Sequence, residues 1–347
     1  MFKQLVSGAK KLALGPSAAP DLFPKVSPDV DGEDCLHDCA SCTVHYPRNF
    51  KIEEQDELYG HVKGWATHVL VATGKSDWVR DVADEKGSVM EALDRAEKPS
   101  NGRLMLSATN IPTPHHTSDY SEPTIVLLLP AFTIIENVTP ASVPTLVSEY
   151  INKAPTNTSS LTPIARTLPT PDNAAAAAAA AGLVARPSPH SVLILLCSQK
   201  TRDARCGQSA PLLRKELERH LRPLGLFRDL DDERPGGVGI YFISHTGGHK
   251  YSANMMVYRR PDAFGVDGVN RADLGASEVL MPRKKAGEQV QEKAEEDVGA
   301  AQCIWLARVK PEDIEGIVKF TVLQGKVVKP ESQLRGGFDR SRGLLSW

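Results

Sequence analysis

The sequence predicts an α/β fold in two units, and three observations lead there. Short β-branched and Leu-rich runs alternate with stretches of helical periodicity, the pattern of layered α/β structure. The chain has 347 residues, room for about two domains at roughly 100–200 residues each. Between Asn152 and His190 the composition shifts to Pro, Thr, Ser and Ala, with six Pro and an eight-Ala run over Ala174–Ala181, which reads as a disordered linker (152–190).

The elements follow in order. The opening segment Met1–Leu14 carries three Lys, no acid and apolar residues at helical spacing. It reads either as a mitochondrial presequence or as a frayed amphipathic end, and its lack of Arg speaks against the first. Residues 1–55 form an extension ahead of the first unit, 56–151. In that unit His68–Ala72 and Ile125–Leu129 are predicted buried strands, with one helix over Trp78–Leu93 between them and another over Pro140–Ile151. Trp65 and Trp78 read as core.

The second unit spans 191–338. A fully apolar strand over Ser191–Leu196 ends on Cys197, and Cys206 and Gly207 precede a helix over Ser209–Leu221. Val238–Ile243 is a second strand, ending at Ser244 and His245; Met255–Tyr258 and Trp305–Val309 are the third and fourth. A helix over Pro311–Leu323 closes the unit, with Pro at its first turn and Gly325 just past its end. This β-α-β-β-α core has the size of a thioredoxin, carries a charged insertion at 262–300 and is followed by a tail, 339–347.

Composition excludes several function classes. Apolar residues make up 41% and charged residues 24%, enough for a buried core. Lys plus Arg is 41 against 43 Asp plus Glu, a net charge of -2, so no basic field recruits nucleic acid. The longest apolar runs fall far below the roughly 18 residues that span a bilayer, so no membrane span is expected. No carboxylate pair is framed for glycoside hydrolysis.

Six Cys are too few for a disulfide scaffold, and they cluster. A reducing compartment is expected, where clustered Cys serve metal or redox chemistry more often than bridges. Cys197 and Cys206 are separated by eight residues, His245 and His249 by three, and the two pairs by 38. Two thiols and two imidazoles are the soft and borderline donors of a metal site, and Gly247 and Gly248 let the backbone fold tightly between the His. The spacing does not fit a zinc finger, whose Cys lie two to four residues apart. It leaves open a [2Fe-2S] cluster with two His on one iron, or another metal, or simply a buried thiol beside a polar Gly loop.

The second group, Cys35, Cys39 and Cys42, has His37 and His45 beside it. It reads as a zinc or redox site with one of those His as fourth ligand, or as solvent-exposed thiols in a mobile segment. His115 and His116 read as solvated, and Cys303 as a buried thiol.

The string Arg202–Gly207 (RDARCG), the string Ser244–Asn254 (SHTGGHKYSAN), Trp305 and the run Leu334–Gly337 (LRGG) resemble the sucrase/ferredoxin-like family. The resemblance covers the region after the linker and, more loosely, His68–Ile151. It implies two thioredoxin-like domains, the first degenerate and the second a thioredoxin-like ferredoxin. That domain would hold one [2Fe-2S] cluster through Cys197, Cys206, His245 and His249, and its partner would be a redox protein. Two departures are visible: Ser252-Ala253 stands where the family has Ala-Gly, and Leu306-Ala307 where it has aromatic-Gly. Neither is expected to touch a ligand. A second reading, from another class, is a metal-stabilised interaction or redox-sensing factor without turnover, supporting mitochondrial protein quality control or import.

The tail Leu345-Ser346-Trp347 resembles the short peptides by which cytosolic iron–sulfur clients are recognised by the cluster-targeting machinery, and it follows a polar stretch that looks unable to pack. This favours a cytoplasmic location. The presequence reading of the opening segment is the mitochondrial alternative.

Overall fold

A computed structural model of the chain describes residues 22–164, 182–269 and 297–347. Met1–Leu14, all of the Ala run but none of its flanking strand, and residues 270–296 of the charged insertion lie outside the described residues. The described residues form a mixed α/β structure around one large mixed sheet.

The first half supplies β1 (Thr67–Ala72), β2 (Leu104–Thr109), β3 (Thr124–Leu129) and β4 (Thr133–Val138). The second supplies β5 (Val184–Pro187), β6 (Val192–Cys197), β7 (Phe227–Arg228), β8 (Val238–Ile243), β9 (Met255–Arg259), β10 (Gln302–Leu306), β11 (Leu334–Asp339) and β12 (Leu344–Leu345). Their order across the sheet is β12-β11-β10-β9-β6-β8-β2-β1-β3-β4-β5, with β7 beside β8. β1 with β2, β6 with β8 and β7 with β8 are parallel, and the other pairs are antiparallel.

The two halves repeat one topology. Strand, helix, parallel strand and two antiparallel strands give the local order β2-β1-β3-β4 in the first half and β8-β6-β9-β10 in the second. The registers correspond: Ala72 opposes Thr109 as Cys197 opposes Ile243. Those two equivalent residues, Thr109 and Ile243, pair with each other where the halves join. Asn110 reinforces the seam, its Oδ1 accepting from Phe242 N at 2.7 Å and its own N–H donating to Phe242 O at 3.1 Å.

Alternation along the strands divides the core. Val192, Ile194 and Leu196 of β6 face the helices of the second half, while Val69 and Val71 of β1 face those of the first. The opposite faces meet in a shared core in which Leu70, Leu127 and Phe132 join Leu193, Tyr258 and Trp305. His68, fully buried in this layer, reaches Tyr258 Oη at 3.1 Å with Nδ1 and Ser107 Oγ at 3.0 Å with Nε2.

Several elements differ from the sequence expectation. The long helix begins at Ala204, ahead of Ser209, because the Asp203 side chain caps it by accepting from Arg205 N at 2.9 Å. Cys206 therefore sits in its first turn. The helix expected over Trp78–Leu93 is broken into a short turn, Val82–Asp84, and a helix over Val89–Arg95; Gly87 (φ +72°) separates them and Ser88 caps the second. The fourth strand lies at Gln302–Leu306, since Arg308 (φ +56°) leaves the extended region that Trp305–Val309 required.

Part of the stretch read as a linker is ordered sheet: β5 pairs with β4, and Arg186 Nε meets Glu136 Oε1 at 2.6 Å. The tail also packs. β12 pairs with β11, Ser346 Oγ accepts from Gly337 N at 2.9 Å, and the Trp347 indole stacks on Trp65 with centroids 4.1 Å apart. The expectation of a stretch unable to pack is corrected: β11 and the seat that Gly64 and Trp65 form hold the tail in place.

Candidate metal centre

β6 delivers Cys197 at its last residue, the long helix delivers Cys206 in its first turn, and the loop after β8 delivers His245. Their ligand atoms all lie within 4.8 Å of one another. His245 turns Nδ1 toward Cys197 Sγ, 4.0 Å away. Strand ends and the loops after them are where α/β folds gather their chemistry.

His249 lies outside that trio but beside it, its ring centroid 5.2 Å from that of His245. Its Nδ1 is buried and has no hydrogen-bond partner among the described residues, a state that costs free energy unless something fills it. Its Nε2 faces Asp203 Oδ2 at 3.9 Å. Gly247 (φ +93°) and Gly248 (φ +68°) adopt the left-handed conformations that bring the two rings round, as their position between the His predicts.

Three side chains to which the sequence reading gave no role hold this loop. Gln199 Oε1 accepts from His245 N at 2.8 Å. Arg335 donates through Nη1 to Gly247 O at 3.0 Å and to Asn254 Oδ1 at 2.8 Å, while Asn254 Nδ2 donates to Gly248 O at 3.0 Å. Buried Arg335 lies 4.4 Å over the Trp305 ring, and burial draws its pKa down to about 10. A Cβ on Gly248 would meet its guanidinium at 2.7 Å.

The two thiols titrate apart. A hydrogen bond from Cys197 holds Cys206 down to about 5 against its own burial, with His245 and Ser252 adding to the effect. That same hydrogen bond, and then burial, push Cys197 well above the ordinary thiol range. The two shifts run in opposite directions, favouring the charge on Cys206. The Ser252 hydroxyl lies 3.4 Å from Cys206 Sγ and donates to His249 O at 2.7 Å. The expectation that this departure from the family pattern touches no ligand is corrected: Ser252 contacts Cys206 directly.

Of the remaining sequence candidates, His115 and His116 are exposed and Cys303 is fully buried. Cys35 packs against Val26 and Phe320, Cys39 is buried, and half-buried Cys42 donates to Val44 O at 3.0 Å, so these are not solvent-exposed thiols. His37 is exposed, and His45 is exposed and pairs with Glu312 at 2.7 Å.

A Cys and His donor group gathered at strand ends of a mixed sheet defines a candidate metal-binding α/β protein. The chain belongs to the sucrase/ferredoxin-like family, which it matches over residues 58–336. It is 30% identical over 249 residues to Actin patches distal protein 1 of Saccharomyces cerevisiae, covering 65% of this chain and 72% of that protein. Altered inheritance of mitochondria protein 32 of Clavispora lusitaniae is 30% identical over 140 residues, 40% of this chain and 33% of that protein. The counterpart of the same name from Debaryomyces hansenii is 30% identical over 137 residues, 40% of this chain and 33% of its own length. The chain therefore spans about a third of these last two relatives. No solved structure gives a significant match.

Proposed function

We propose that the protein transfers electrons through one [2Fe-2S] cluster held by Cys197, Cys206, His245 and His249. The observation that carries this reading is the convergence of the Cys197, Cys206 and His245 donors within 4.8 Å, beside the unpartnered buried Nδ1 of His249. Two thiolates and two imidazoles suit such a cluster, which when bound supplies a one-electron couple above the range of all-Cys ferredoxins. Cys206 enters as a thiolate, and Arg335, Asn254 and Gln199 fix the His loop. Asp203, capping the long helix, faces the outer nitrogen of His249 and orients that ring.

The repeated strand order supports reading the halves as two thioredoxin-like units, 56–151 and 191–338, with the described part of the extension 1–55, from residue 22, laid against the second. The partner in this reading is a redox protein. Two compartments are compatible with it: the cytoplasm, where clustered thiols stay reduced, and the mitochondrion, for which some of the relatives are named. Cell fractionation separates them. The test of the chemistry is composition: anaerobically purified protein is expected to be reddish brown, with about two iron and two sulfide per chain. One zinc and no sulfide at these residues overturns the proposal.

A further inference from the structure

The extension brings a second donor group together, at the other end of the long helix from Cys206. Cys39 Sγ, His220 Nε2 and a Glu315 carboxylate oxygen lie within 4.8 Å of one another. Cys39 comes from the extension, His220 from the last turn of the long helix and Glu315 from the short helical turn Ile314–Gly316. From these three residues we infer a second metal site, for one zinc ion, that fastens the extension to the second half of the protein.

The geometry suits that ion. Cys39 Sγ stands 3.9 Å from His220 Nε2, against about 3.6 Å for a thiolate and an imidazole on one tetrahedral zinc. Arg219 Nη2 donates to His220 Nε2 at 2.9 Å and to Cys39 Sγ at 3.4 Å. Nε2 is therefore an acceptor, its lone pair turned to the same Arg219 nitrogen that contacts the sulfur. A thiolate and a carboxylate supply two negative charges for a divalent ion, and water completes the tetrahedron.

Arg219 is the resident cation. Its guanidinium is also held by Glu216 Oε2 at 2.7 Å and is partly exposed, so it has an anchor to which it can withdraw. The extension is otherwise tied to the same helix by Thr43, whose N–H and hydroxyl both donate to Glu216, and to the loop after β10 by Tyr46, which donates to Val309 O at 2.8 Å. The ion adds a coordinate link to this seam.

The experiment measures zinc and iron together in the full-length protein purified with zinc present, followed by zinc K-edge absorption. We expect about one zinc per chain with one sulfur and several nitrogen or oxygen neighbours. Cys39→Ser and His220→Ala should each lower zinc affinity by about tenfold or more with iron content unchanged. Cys197→Ser should lose iron and keep zinc, so failure of the cluster reading is distinguishable from failure of this one. Arg219→Ala removes the competing cation, together with its ion pair to Glu216, and should tighten zinc about tenfold in competition with a chelator. Absence of zinc from the wild type, retention of zinc by Cys39→Ser and His220→Ala, or unchanged affinity in Arg219→Ala overturns the inference.

Discussion

Trp347 lies face to face on Trp65, ring centroids 4.1 Å apart and planes 29° from parallel, while Trp305 meets the other indole edge-on at 5.5 Å. The stack joins the tail to the shared core of both halves. Trp347→Ala should destabilise the fold by about 1–3 kcal/mol, from lost stacking and apolar burial. Gly64→Ala offers a control, since its Cβ would fall 2.2 Å from the Trp347 ring and displace it with the indole retained. Both variants should lose the same near-ultraviolet circular dichroism. Full signal in Gly64→Ala would show that the ring is not seated there.

The proposed ligands differ in what their replacement does. Cys197→Ser and Cys206→Ser should each abolish iron and sulfide binding, because an alcohol is a poor ligand beside a thiolate. His245→Cys and His249→Cys should keep a coloured cluster with a midpoint potential lower by about 100 mV or more, thiolate donating more charge than imidazole. Electrochemistry of the two variants decides it. A potential unchanged in His249→Cys would remove that residue from the ligand set.

Ser252 provides a finer probe. Its hydroxyl is shared between His249 O and Cys206 Sγ. Hydrogen bonds to a ligating sulfur withdraw charge and raise the potential. Ser252→Ala should therefore retain the cluster and lower the potential by less than either His→Cys change, measured by redox titration of the visible spectrum.

Arg335 is expected to act through the loop it grips. Arg335→Lys keeps a positive charge but cannot donate to both Gly247 O and Asn254 Oδ1 while stacked on Trp305. Cluster retention during dialysis should fall several-fold with the thermal midpoint little changed. Equal losses of stability and cluster would make the residue a general structural one.

His68 gives stability a pH dependence whose sign is fixed. Burial lowers its pKa to about 3 from an ordinary 6.5, so it stays neutral when folded and gains a proton only on unfolding. Its contribution is fully present above pH 6.5 and is lost progressively as pH falls toward 3. Near the middle of that window the slope approaches about 1.4 kcal/mol per pH unit. Urea denaturation of wild type and His68→Gln at pH 7 and pH 5 should show a smaller loss in the variant. Equal losses would mean that His68 does not titrate with unfolding.

Much of this was legible in the sequence where a strand is buried on both faces. β6 and β8 are continuous apolar runs, and the ligand candidates stand at their ends. β11 was not legible, because Leu334–Asp339 reads as a polar, Gly-containing loop. Its glycines are there for proximity: a Cβ on Gly337 (φ +141°) would fall within 1.9 Å of the Cys303 carbonyl oxygen. Cys197, Cys206 and His245 could be picked out by residue type and spacing. Gln199, Asn254 and Arg335 could not, since a neutral amide or an Arg acquires its role only from the long-range packing that sets it against the loop. The same holds for Cys39, whose neighbours His220 and Glu315 lie far along the chain, whereas the nearby His37 and His45 point elsewhere.

The pairing of Thr109 with its own equivalent, Ile243, has the character of an isologous contact, the kind that relates two subunits of a symmetric dimer. Here the two related halves are covalently joined, so the contact has no dissociation constant and each half shields the other's open sheet edge. The covalent tether also lets the two halves carry different residues at matching positions. At the positions matching Cys197 and His245 the first half carries Ala72 and Ile111, which coordinate nothing. Among the described residues these donors stand in one half, and the other half serves as its scaffold.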